Sequence, residues 1–403
     1  MNIVVIGGGA SGMMASIKAS KNGHNVTVLE HKDKIGKKLL ATGNGRCNLT
    51  NEVLKSNPSK CYEGYDQEWL ENAFNAFGYD DTIKFFEELG LMIKSRQGLV
   101  YPYSDQANAV LDALRFRMQD LGIKVISDSH VDRVEGNIKE GFLVCTDNGK
   151  KYKCDRVIIA TGSKAQPKLG ADGSGYVIVK KLGHRINRLH PGLVQLKSSE
   201  NYFKSIAGTR ITSKCSLLFD EKVVKEETGE LQITSYGLSG IVIMNLSNCL
   251  GENLNNVSVS CDLMPDHDTA YLEDILNKKI KNYPDRDSGT LLIGILPKKL
   301  GDLFLKETKI GYDCKLKDIE KVKIQRLANL IKTWVVPING TNTFEECQIT
   351  LGGVPLEEVD ANMESKVKKG VYLCGEILDV HGKCGGFNLQ LAWTTGYIAG
   401  DLK

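Results

Sequence analysis

The chain has no run of about 18 apolar residues, so no membrane span is expected. It opens directly on a strand pattern at Asn2, without a basic stretch or cleavage site, and no export signal is read there. Its eleven cysteines include no Cys-x-x-Cys and no paired His/Cys spacing, so no zinc or other metal is expected. Thiols used this way read as small buried apolar residues in a reducing cytoplasm. Charge of one sign is scarce as well. A net charge of +3 over 403 residues gives no footing for nucleic acid or an anionic membrane. Lysine-rich pieces such as Lys366, Lys368 and Lys369 read as solvated surface. No internal repeat or low-complexity tract is present. The expectation is an ordinary globular chain of two or three domains acting on a small molecule. Its oligomeric state is not legible.

Set against these absences is one dense signal, from Asn2 to Glu30. A short apolar run (Ile3, Val4, Val5, Ile6) leads into Gly7, Gly9 and Gly12. A helix-like segment beginning at Ala10 and Ser11 follows, then a second apolar run ending in Glu30. Strand, glycine turn, helix, strand and acid form a site for the pyrophosphate and ribose of a dinucleotide. Gly7 permits the tight turn, Gly9 leaves room for phosphate, and Gly12 lets the helix pack closely. The helix N-terminus then meets the anion. Glu30 sits where ribose hydroxyls can donate to it. At this point FAD and NAD(P) both fit.

Further along, 66–77, 80–90 and 105–121 read as helices. Lys124–Ser127, Val131–Val134, Phe142–Thr146 and Tyr152–Cys154 read as an antiparallel meander. Arg156–Gly162 is a buried-strand pattern ending in the small Ala160-Thr161-Gly162. Residues 193–263 alternate in strand fashion around an expected turn at Glu227-Thr228-Gly229-Glu230. Residues 266–334 look helical, and Pro297 suits a first helical turn. The chain closes with a strand ending at Gly375-Glu376 and a helix from Phe387 to Leu402.

Three features favour FAD. No second Gly-x-Gly-x-x-Gly follows a strand. Ala160-Thr161-Gly162 and the later Gly375-Glu376 are the paired strand ends expected around a flavin, with Glu376 placed for ribitol hydroxyls. Gly385-Gly386 opens a helix whose N–H groups, at Phe387, Asn388 and Leu389, suit the negative pyrimidine edge of reduced flavin.

The segment Gly36-Lys37-Lys38-Leu39-Leu40-Ala41-Thr42-Gly43-Asn44-Gly45-Arg46-Cys47-Asn48-Leu49-Thr50-Asn51 resembles the hallmark of a bacterial and archaeal FAD flavoprotein family. That family includes BaiN-type bile-acid reductases and proteins assigned as aminoacetone oxidases. Gly173-Ser174-Gly175-Tyr176, Pro191-Gly192-Leu193-Val194, Tyr236-Gly237-Leu238-Ser239-Gly240 and Gly385-Gly386-Phe387-Asn388-Leu389-Gln390 match in order along nearly the whole chain. The resemblance implies an α/β fold: a Rossmann-like FAD-binding domain from both chain ends, with an inserted antiparallel β-barrel and a small helical domain. The boundaries expected are 1–190 and 351–403 for the FAD-binding domain, 191–265 for the barrel, 266–335 for the helical insert, and 336–350 for a return through the barrel.

Carried over by motif position, Ser11, Glu30 and His31 fall on the adenosine and pyrophosphate side, and the backbone of Val131 meets adenine. Lys38, Thr42, Gly43, Arg46 and Asn48 follow the pyrophosphate and ribitol. Glu376, Asn388 and Leu389 reach the ribitol and ring. Flavin would supply the redox chemistry. The expected reaction is NADH- or NADPH-driven reduction of an electron-poor C=C in a 3-oxo bile-acid or steroid acceptor. Candidate proton donors are Tyr236 and His381. Cys47 and Cys384 read as packing thiols. The nearest rival is an O2-using amine oxidase of the aminoacetone type. A flavin-binding sensor or RNA-modification partner is a further alternative. A flavin halogenase is disfavoured, since Trp69, Trp334 and Trp393 form no Trp-x-Trp stretch.

Overall fold

The computed structural model describes residues 1–63, 66–251 and 254–402. The chain divides into two compact units: Met1–Pro191 with Phe344–Lys403, and Gly192–Thr343.

The first unit is organised on a five-stranded parallel sheet. Its strands run, in spatial order, Val371–Leu373, Arg156–Ile159, Asn2–Ile6, Asn25–Leu29 and Lys124–Ile126. The three middle strands read as near-continuous apolar runs because they are buried on both faces. Val5, Val28 and Ile158 are fully buried. The strand Lys124–Ile126 corrects the sequence reading, which placed it in the meander. It pairs parallel with Asn25–Leu29, through Thr27↔Lys124. The helix Ala107–Asp120 before it supplies the crossover that a parallel neighbour needs. The meander keeps three strands, Val131–Asn137, Gly141–Thr146 and Lys151–Cys154.

The two chain ends lock through their helices, Ala10–Lys21 and Phe387–Gly400. A Cβ at Gly396 would stand 2.4 Å from the Ser11 carbonyl oxygen, and one at Gly400 2.4 Å from that of Ala15. Only glycine allows this crossing. The last helix is buried on most sides, so its polar groups need internal partners. The Gln390 carbonyl accepts from Thr50 Oγ1 at 2.6 Å, Thr394 donates to the Phe77 carbonyl at 2.7 Å, and Trp393 donates to that of Leu49 at 3.0 Å.

The second unit holds a seven-stranded sheet and a three-helix module. The sheet order is Trp334–Pro337, Val257–Asp262, Arg210–Phe219, Lys222–Thr234, Gly237–Ser239, Leu196–Lys197, Gly340–Thr341. Its two outermost strands are separated by only two residues of chain, Ile338 donating to the Val257 carbonyl at 2.9 Å and Asn339 to that of Lys197 at 3.1 Å; they form no ladder with each other among the described residues, and the sheet is described as antiparallel. The expected turn at 227–230 is corrected. Lys222–Thr234 runs through it as one strand, and the hairpin turns at Asp220 and Glu221, both with positive φ. Gly229 is nearly extended, at φ 158, so its turn-like composition is overridden by the alternation that buries Leu231 and Ile233. The helices Thr269–Asn282, Lys298–Glu307 and Lys321–Lys332 bury Leu272, Leu276, Phe304, Leu327 and Ile331.

Candidate functional site

At the opening turn each glycine has a different reason to be there. Gly7 has φ +105, and a Cβ on it would lie 2.4 Å from the Ala160 carbonyl oxygen. A Cβ on Gly12 would lie 2.0 Å from the Gly7 carbonyl oxygen, so the helix sits directly on the turn. At Gly9 nothing stands within 4 Å of that position. The first helix, opening with Ala10 and Ser11, has no side-chain cap and no acid in its first turn. Unfilled space, free N–H groups and a positive dipole end fit a pyrophosphate.

Glu30 closes this end. Its Oε2 accepts from the Gly8 N–H at 2.8 Å and its Oε1 from the Lys32 N–H at 2.9 Å, which fixes the carboxylate and leaves lone pairs for ribose hydroxyls. His31 Nδ1 lies 3.3 Å from Glu30 Oε1, and its ring meets His130 edge-on at 5.9 Å. Asp172 lies 3.6 Å from His31 Nε2. Burial works to raise the Asp172 carboxyl, but Ser174 hydrogen bonds and the nearby histidines hold it below its usual range. Val131 is buried at the start of the meander.

The second cradle is a run of left-handed backbone: Gly43, Asn44, Gly45 and Cys47 all have positive φ. Lys37 turns outward to Asp33, whereas Lys38 Nζ reaches Glu376 Oε2 at 2.7 Å. Glu376 Oε1 also accepts from the Thr350 N–H at 3.1 Å. Thr42 donates back to the Leu39 carbonyl. Asn48 Oδ1 accepts from the Val100 N–H at 3.2 Å and stands 2.9 Å from where a Gly386 Cβ would be. The strand ends converge on the first helix: Ala160 packs against Gly12, and a Cβ on Gly375 would strike Ser11 Oγ at 2.3 Å. Gly162 takes φ +70, and Thr161 Oγ1 is buried without a hydrogen-bond partner.

The last helix starts at Gly386 in the left-handed region, again without a side-chain cap or a first-turn acid. The Asn388 side chain bonds the Gly382 N–H and carbonyl, so only its backbone faces outward from that exchange. Phe387 is buried, and its carbonyl accepts from Tyr62. Leu389 is half-buried beside them. Cys47 and Cys384 are held as thiols: burial pushes Cys47 up to about 12 and Cys384 to about 11.

The two proton-donor candidates differ. His381 Nδ1 and Nε2 are both buried without a hydrogen-bond partner, and Nε2 lies 3.6 Å from Glu63 Oε2. Tyr236 belongs to the second unit, where its hydroxyl accepts from Asn342 Nδ2 at 3.0 Å. Sequence reasoning missed Thr350, which orients Glu376 and also hydrogen-bonds Ser163 at 3.0 Å. The Gly-rich texture from about 345 was its only signal.

The family model described as HI0933-like protein Rossmann domain matches residues 1–402. A 3-dehydro-bile acid delta(4,6)-reductase of Clostridium scindens is 40% identical over 404 residues, covering 99% of this chain and 98% of that protein. A ribosomal RNA dihydrouridine synthase of Haemophilus influenzae is 30% identical over 404 residues, covering 98% of this chain and 96% of that protein. Among solved structures, the 3-ketosteroid-delta4-(5alpha)-dehydrogenase of Rhodococcus jostii superposes with a TM-score of 0.50 at 14% identity, over 99% of this chain and 95% of that one. That last likeness is one of fold alone.

Proposed function

The chain belongs to the HI0933-like Rossmann-domain family and is an FAD-dependent oxidoreductase, and from that premise we propose that it reduces an electron-poor C=C conjugated to a carbonyl in a 3-oxo bile-acid or steroid-like substrate. NADH or NADPH would be the reductant. The observation that carries this reading is the end-to-end similarity to the Clostridium scindens reductase. The fit of the site supports it. Two uncapped helix N-termini, the open space at Gly9 and the paired carboxylates Glu30 and Glu376 suit a dinucleotide with a flavin at one end.

Bound FAD supplies hydride for the β-carbon of the conjugated system. The chain's own residues do the rest. Gly9, Ala10 and Ser11 would hold the pyrophosphate by backbone N–H groups, and Glu30 the adenosine ribose. Lys38 and Glu376, fixed on each other and on Thr350, would orient the ribitol. The N–H groups after Gly386 would steady charge at the pyrimidine edge. His381 would be the proton source for the α-carbon, because its buried ring nitrogens make no hydrogen bond and Glu63 Oε2, 3.6 Å from Nε2, supports the protonated ring. We further propose that the protein works in a reducing cytoplasm. All eleven cysteines are free thiols, and no helix among the described residues is long and apolar enough to cross a membrane.

A second reading is favoured by the rRNA dihydrouridine synthases among the relatives. The uracil C5=C6 bond is conjugated to a carbonyl, so its reduction to dihydrouridine asks the same of the site. One experiment separates the two. The flavin of the holoenzyme is bleached anaerobically with NADH or NADPH, then offered a 3-oxo-4,6-diene steroid acid or uridine-containing ribosomal RNA. Return of the yellow colour with a product two mass units heavier identifies the acceptor. A steroid left unreduced while RNA gains two mass units would overturn the first reading.

A further inference from the structure

Resting on the reductase reading above, we infer that the substrate carries an oxyanion, and that Arg46 and Arg96, with the hydroxyl of Tyr101, form the subsite that reads it. Arg46 is exposed at the end of the left-handed turn, and its guanidinium has no hydrogen-bond or ion-pair partner among the described residues. Both Tyr101 and Asp105 feel its charge. Arg96 belongs to the same group: its Nη2 lies 3.6 Å from Asp105 Oδ2, and Tyr101 feels its charge too. That carboxylate oxygen is already held by Lys94 Nζ at 2.5 Å. One acid therefore faces three cations. Like charges gathered this way repel one another unless an anion joins them.

The donors present suit that anion. Two guanidiniums offer planar, paired N–H groups that match a carboxylate or phosphate. The Tyr101 hydroxyl, which makes no hydrogen bond among the described residues, adds a third donor. A short chain of contacts ties this group to the site. The Tyr101 ring lies 3.6 Å from where a Gly43 Cβ would stand, that same point is 3.1 Å from the Asn48 N, and Asn48 Oδ1 touches the Gly386 position at 2.9 Å. The arginines thus stand at the rim near the start of the last helix. An anion held there anchors one end of a substrate while its conjugated carbonyl reaches inward. Arg46 is thereby assigned to substrate, not to the cofactor contact that its motif position suggested. The oxyanion is either the carboxylate of a steroid acid or a phosphate of RNA; the donor set accepts both.

The test uses FAD-loaded parent protein, R46Q, R96Q, the double variant R46Q/R96Q and the conservative pair R46K/R96K. Each is titrated calorimetrically with a 3-oxo-4,6-diene steroid acid, its methyl ester and a uridine-containing RNA oligonucleotide. Flavin content is read from visible absorbance. Expected are unchanged flavin content, affinity for the acid weakened about tenfold per arginine lost, ester affinity within about twofold, and partial rescue by lysine. If only the RNA binds, and the double variant weakens it and flattens its salt dependence, phosphate is the source; the inference stands and the steroid reading falls. Loss of FAD from R46Q overturns the inference. So do equal losses for acid and ester, or no binding of any of the three to the parent protein.

Discussion

The two ends of the candidate site are built on opposite principles. At the Glu30 end the carboxylate is already satisfied: it takes two backbone N–H groups, and Gly7 and Gly12 are fixed by contacts of 2.4 and 2.0 Å that no side chain could enter. At the Gly386 end groups are left wanting. His381 has two buried ring nitrogens that make no hydrogen bond, and Arg46 has no ion-pair partner among the described residues. The first arrangement suits a ligand that stays. The second suits one that arrives, reacts and leaves, because polar groups that the fold does not satisfy are available to a transient partner.

The sharpest way to break this contrast is Gly12→Val. A side chain 2.0 Å from the Gly7 carbonyl must push the first helix off the turn, so the variant should lose its yellow colour and about 3 kcal/mol of stability, read by visible absorbance and thermal melting. His381→Asn should do the reverse. Flavin content and melting temperature hold, while the rate of acceptor reduction falls about a hundredfold in single-turnover measurements. A smaller effect is expected for Glu30→Gln, which keeps the shape but removes the charge from two hydrogen bonds. FAD affinity should fall about tenfold, with turnover of saturated enzyme unchanged. The smallest concerns Asp172. Its carboxyl sits below the ordinary aspartate value of 3.8, so its stabilising contribution is present above that pH and is lost as pH falls through the lowered folded value. Asp172→Asn should lower the melting temperature slightly at neutral pH, and its profile should converge with that of the parent protein as pH falls below about 4, so that the acid limb is flattened.

The same contrast explains what could be read from the chain in advance. The Glu30 end is local: strand, turn, helix and acid follow one another within the first thirty residues, so spacing alone carries the geometry. The Gly385-Gly386 opening of the last helix was equally legible, because two glycines before an apolar run leave few alternatives. The arginine group was not. Arg46 and Tyr101 are brought together only because Leu99–Pro102 pairs with Thr50–Asn51, a register no single-segment pattern reports. Thr350 was hidden for the same reason. In the second unit the alternation was legible, but whether the sheet closes on itself was not, since period-two patterning is identical in an open sheet and a barrel. The turn at Asp220-Glu221 was masked by the more turn-like residues 227–230, which the long strand absorbs.

The glycine-lined crossing of the first and last helices has a consequence for how the molecule comes into being. Gly396 and Gly400 press on the backbone of residues 11 and 15, so the nucleotide cleft acquires its second wall only when the distal segment docks. During synthesis the amino-terminal half would emerge with its phosphate turn formed but unsupported. Cofactor capture is then a late event, coupled to the final closure of the polypeptide instead of preceding it.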